Sequence, residues 1–181
     1  GNVTLITNSV TQSANADLTF SCSGATSLVL NGLSWTLSDT TDVTANATVN
    51  VGTGTLDGGQ DITVSAGTVS ESSGSIVGGT FTVSGGTVTV GTGVFTVGSM
   101  SVSAGSFTQT GDNTGNTQST TGLSVSGGSC TWDSGSAGGT LSIAGAVNQT
   151  GGSLDFGNKT VSNVTNFQIT AGNIDLGASS I

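Results

Sequence analysis

The chain is 181 residues long, with 31 Gly and no Pro, His or Tyr, a formal net charge of −9, and Lys159 as its sole Lys or Arg. That balance excludes nucleic-acid binding, which needs clustered Lys and Arg against phosphate, and docking on anionic lipid. Without His there is no ordinary triad or imidazole base, and without Arg or a second Lys there is no oxyanion clamp of the usual kind.

The length suits one domain or two small ones. A chain dominated by Gly, Ser and Thr could be disordered, but here Val, Ile, Leu and Phe recur at every second residue. Period-two alternation marks half-buried strands, and no segment combines a 3.6-residue period with capping residues. The fold class is therefore all-β. No apolar run approaches the roughly 20 residues that span a bilayer. The chain opens at Gly1 rather than Met, so either a leader was removed or this is a piece of something longer, and the favoured expectation is an exported, processed product, extracellular or on a cell or virion surface.

In chain order, the head "GNVTLITNSV" offers Val3, Leu5 and Ile6 as apolar positions, and "DLTFSCSG", "LSWTLSD" and "TVNVGTG" follow as loosely matched strands. Residues 1–60 are expected to form less regular N-terminal coils and residues 61–181 regular repeats, within a single domain over residues 1–181. From residue 61 the phrases align on a second apolar residue: Val64 in "ITVSAG", Val83 in "FTVSGG", Val102 in "MSVSAG", Val125 in "LSVSGG", Ile143 in "LSIAG" and Ile169 in "FQITAG". The intervals are 19, 19, 23, 18 and 26 residues, and the extra residues of the third fall in the polar run "GDNTGNTQ". The last interval is either one coil with an insertion or a register slipped over residues 159–166.

Inside one unit a finer beat separates "FTVSGG", "TVTVGTG" and "VFTVGS". Three short strands with glycine corners make one turn of a parallel β-solenoid, or β-helix, of about 19 residues per coil. Each strand is too short to bury its apolar face alone, so coil must stack on coil, about 4.8 Å apart. Nine or so coils would give a rod about 45 Å long. The predicted inward set is Phe81, Val83, Val88, Val90, Phe95 and Val97, repeated by Met100, Val102 and Phe107. Glycine supplies the corner conformations, and the missing proline fits a chain whose amides are used in ladders. A hairpin sandwich is the rival, since "SGG" could be a tight turn, but a steady repeat favours the solenoid.

The outward positions beside the aligned residues form a candidate hydroxyl face: Thr63 and Ser65, Thr82 and Ser84, Ser101 and Ser103, Ser124 and Ser126, then Ser142 and Ala144, Gln168 and Thr170. It reads either as a solvated sheet surface or as a recognition face for a repetitive target such as ice, glycan or another rod. Two acidic pairs occur, Asp39 with Asp42 and Asp57 with Asp61. Asp57 and Asp61, in "LDGGQD", are weak Ca²⁺ candidates without the repeat that binds Ca²⁺ in stacked coils, and solvated loop carboxylates are the plainer reading. No catalytic residue and no cofactor is indicated. Cys22 and Cys130 fall on inward beats about five coils apart, too far for a disulfide, and read as buried apolar fillers. Asn-x-Ser/Thr matches at Asn2, Asn46, Asn148, Asn158 and Asn163 are about as frequent as chance gives in so Ser/Thr-rich a chain.

Neither end shows a polar cap. The tail "FQITAGNIDLGASSI" keeps its inward beat through Ile174 and Leu176, so either the chain is cut from a longer solenoid or its ends pair with other copies, with Val3, Leu5, Ile174 and Leu176 as candidate assembly ends. The phrases "TFTVSGGTVTVGTG" and "MSVSAGSFTQTG" resemble the Gly/Ser/Thr-rich repeats of secreted bacterial β-solenoid surface proteins and adhesins. "GGSLDFGNKTVSNVTNFQITAGNIDLG" is similar to the stalk segments of phage tail fibres. The likeness covers about residues 61–176 and implies an extracellular structural or adhesive role, with no catalytic residues to carry over. The expected function is a structural rod that joins end to end with copies of itself. The alternatives are a tail-fibre or adhesin segment contacting a surface glycan, and an ice-binding rod, for which the face would need regular Thr-x-Thr where Ser prevails. A polysaccharide-cleaving β-helix lacks the side chains to work with. Nucleic acid and membrane insertion are not expected.

Overall fold

The computed structural model describes residues 4–5, 10–11, 18–20, 26–29, 34–36, 41–43, 47–57, 61–111, 118–133 and 138–178. Val3, Cys22 and Asp39 lie outside them. The described residues form strands and turns with no helix, and every described strand pairing is parallel. The chain winds as a β-solenoid with three strands to a coil, which rules out the antiparallel sandwich.

Three sheet faces run along the axis. The first holds Thr4–Leu5, Thr26–Val29, Ala47–Gly52 and Thr68–Glu71, then Ser129–Asp133, Ser153–Asp155 and Asn173–Asp175. The second holds Val10–Thr11, Ser34–Thr36, Thr55–Asp57, Gln118–Thr120, Gly139–Ile143 and Lys159–Ser162. The third holds Leu18–Phe20, Thr41–Val43, Asp61–Val64, Leu123–Val125, Ala146–Gln149 and Asn166–Ile169. In the middle of the molecule Ser75–Val90 and Val94–Thr110 each run unbroken through two corners and serve all three faces. At the corner from the third face to the first their mutual register shifts, after Val83 and again after Ser84.

The predicted inward set is the core. Phe81, Val83, Val88, Val90, Phe95, Val102 and Phe107 are wholly buried, and Val97 and Met100 nearly so. Alternation puts these side chains on the inner surface of each strand, and coil stacking seals them from the next level. Aromatic bulk passes up the axis: Phe81 meets Phe95 with ring centroids 5.2 Å apart, Phe95 meets Phe107 at 5.1 Å, and Phe107 meets Trp132 at 4.7 Å. Edge-on and tilted pairs of this kind suit the ring quadrupoles.

One register assignment is corrected. On the third face Val64, Val83, Val102 and Val125 align as read from sequence, but the next residue in that column is Gln149, followed by Ile169. Ile143 lies on the second face above Thr120. The true intervals are therefore 19, 19, 23, 24 and 20 residues. An alignment built on apolar residues steps over Gln149 because it is polar, yet it is fully buried. Its Nε2 donates to the carbonyls of Gly152, at 3.3 Å, and Asn173, at 2.6 Å. The uncertainty over residues 159–166 dissolves with this correction: the register had slipped by one strand at "LSIAG". The longer third interval does coincide with the polar run, since the second-face strand resumes at Gln118.

Candidate functional site

The third face brings Thr63, Thr82, Ser101 and Ser124 into one in-register column, each half-buried in the sheet surface. Ser65, Ser84, Ser103 and Ser126 are exposed where the chain leaves this face for the first. They do not form a second straight column, because the register shifts after Val83 and Ser84 aligns with Ala104. Ser142 and Ala144 do not belong to this surface. Ser142 stacks on Ser119 of the second face, and Asn148 takes its place above Ser124. This correction follows from the same register slip.

Sequence reasoning missed a second hydroxyl array, on the first face. Thr68 and Ser70 stack under Thr87 and Thr89, then Ser106 and Thr108, then Ser129 and Thr131. In each coil the pair flanks one inward residue: Val69, Val88, Phe107 or Cys130. The signal was present as "TVT" at residues 87–89, one strand away from the phrases used for alignment. Two shallow grooves flank the corner between the second and third faces. One, about 390 Å³, is lined by residues including Ser101, Ser124 and Asn148. The other, about 370 Å³, includes Thr96, Ser119 and Ser142.

The carboxylates are engaged in the stack. Asp61 Oδ1 accepts the Thr80 N–H of the next coil at 2.8 Å, and Asp57 aligns with Val77 on the second face. Among the described residues no group of three or more His, Cys, Asp or Glu is placed to hold a metal ion. Glu71 is different, being only 4% exposed at the corner between the first and second faces. Its Oε2 accepts the Gly91 N–H at 3.0 Å. Burial pushes its carboxyl up, and the amides of Gly91, Gly74 and Gly93 partly oppose that. Gln109 and Gln118 are buried near the same corner, where Gln109 Nε2 donates to the carbonyls of Gly91 and Gly111, and Gln118 Nε2 to that of Gly93. Lys159 is fully buried as well.

Cys130 is a free thiol on the inward beat, fully buried. Burial pushes its pKa up to about 12, and the negative charge of Asp155 adds to that. A thiol so far from its thiolate is a packing group. No helix of the described residues is long and apolar enough to cross a membrane.

Phe167 and Ile174 pack partly against the core, while Ile169 and Leu176 remain 46% and 42% exposed. Leu5 lies on the strand that pairs with Thr26–Val29 near the other extremity. The chain matches no protein-family model, no curated protein and no solved structure.

Proposed function

We propose that this chain is a structural rod whose open coil takes a further coil from another copy, so that rods join end to end into a filament. One observation carries the reading. The coil ending in Ile169 and Leu176 offers the outside the same apolar surface and parallel edge that each coil offers its neighbour inside. A second copy is the natural fit, because coil-on-coil stacking is how this sequence already satisfies itself. Covering the two half-exposed side chains contributes on the order of 1 kcal/mol each, and each ladder hydrogen bond adds about 1 kcal/mol. An extracellular setting, as for surface fibres and adhesins, goes with this reading.

The test is electron microscopy and sedimentation of the chain at rising concentration, beside the double variant Ile169→Asp, Leu176→Asp. Filaments of rod width are expected from the native chain and not from the variant, whose melting temperature should change little because both sites are exposed. Uniform single rods at every concentration, or a variant that assembles as well as the native chain, would remove the reading.

A second reading has its own observation. The first face carries Thr or Ser on both sides of the inward residue in four successive coils, at residues 68/70, 87/89, 106/108 and 129/131. This is an uncharged, two-column hydroxyl lattice in register with the coils, although only the 87/89 pair is Thr on both sides. Thermal hysteresis abolished by Thr89→Tyr would favour it, and freezing behaviour like that of an inert protein would dismiss it.

A further inference from the structure

The surface charge of the rod has one sign. Lys159, the sole Lys or Arg, is fully buried, and the charges that the described residues hold at the surface, Asp57, Asp61, Asp155 and Asp175, are carboxylates. Two of these stack at the open coil, where Asp155 pairs in register with Asp175 on the first face. The same local turn pins each of them: Gly157 N–H donates to Asp155 Oδ1 at 2.7 Å, and Gly177 N–H to Asp175 Oδ1 at 2.8 Å. One hydrogen bond thus holds each carboxylate toward its own turn.

We propose that ionic strength gates the end-to-end joining of two copies at this coil, a proposal that rests on the filament reading above. Each copy brings a net charge of −9, with no basic side chain on the described surface to offset it. The screening length is about 30 Å at 0.01 M salt and about 8 Å at 0.15 M. With coils about 4.8 Å apart, repulsion at low salt sums over several coils of both rods. At the higher salt it is confined to the coils nearest the joint. The attraction from Ile169, Leu176 and the strand edge acts only at contact, and screening leaves it in place. Salt therefore removes the barrier without removing the adhesive.

The experiment is sedimentation velocity at one protein concentration in about 10, 150 and 500 mM NaCl, a range that takes the screening length from tens of ångströms to a few. Asp175→Asn is run in parallel, since its side-chain oxygen can still accept the Gly177 N–H. The apparent association constant of the native chain should rise about tenfold or more from the lowest salt to the middle one, and Asp175→Asn should reach the same joined fraction at lower salt. Joining that is indifferent to salt, that weakens with salt, or that keeps its full salt dependence in Asp175→Asn would overturn the gating and leave the filament reading standing. No joining in any salt would overturn both.

Discussion

Val83 lies between Val64 and Val102 in a fully buried column. Val83→Asp would bury a carboxylate without a partner, at a cost of about 3–5 kcal/mol, and thermal melting should fall by about 10 °C or more. An unchanged melting temperature would mean that the side chain does not face inward. Among the described residues Glu71 is a carboxylate that the fold does bury. Because burial raises its native pKa, the folded state holds this proton more tightly than the unfolded state does. Its contribution to stability is thus fullest below the ordinary carboxylate range and is lost as pH rises through the raised value. In melting curves from acid to neutral pH, Glu71→Gln should gain on the native chain as pH rises, and parallel curves would refute the assignment. Such residues were the least legible. Glu71, Gln109, Gln118, Gln149 and Lys159 read as interruptions of the apolar beat, and only the backbone groups that meet several of them at the corners explain why polar atoms can be inside.

The strand–glycine–strand phrase is legible because its two ingredients are local: alternation sets which side chains face inward, and glycine sets where the chain turns. The corner from the third face to the first shows why glycine is required. Gly128 sits at φ +66°, and a Cβ there would come 2.6 Å from the carbonyl oxygen of Gly105 in the coil below. Gly128→Ala meets both an unfavourable backbone region and a fixed neighbour, and should cost ~2 kcal/mol or more, or about 4–8 °C in melting temperature. A melt indistinguishable from the native one would show that this corner can move. At the corner after the second face in the last coil a non-glycine residue, Asn163, holds φ 64°. What strand-level reading could not supply was the face to which a phrase belongs. "LSIAG" and "FTVSGG" look alike, yet they lie on different faces.

For the whole molecule, parallel coils joined only to their neighbours explain how a chain with so little chemistry in its side chains holds a fixed shape. Each level supplies the lid for the one below, and the last described level is left with Ile169 and Leu176 half in solvent. By itself the sequence determined the all-β class, the three-strand coil, the inward set from Phe81 to Phe107 and the absence of histidine and arginine chemistry, because these depend on composition and on neighbours two to seven residues apart. Only the tertiary structure decided that Gln149 continues the column of Val125, that the first face carries the paired Thr and Ser columns, and that Lys159 is hidden from solvent. Those outcomes depend on pairing between residues 19 to 24 apart, where an insertion at one corner moves every later phrase to a new partner while its local pattern stays the same.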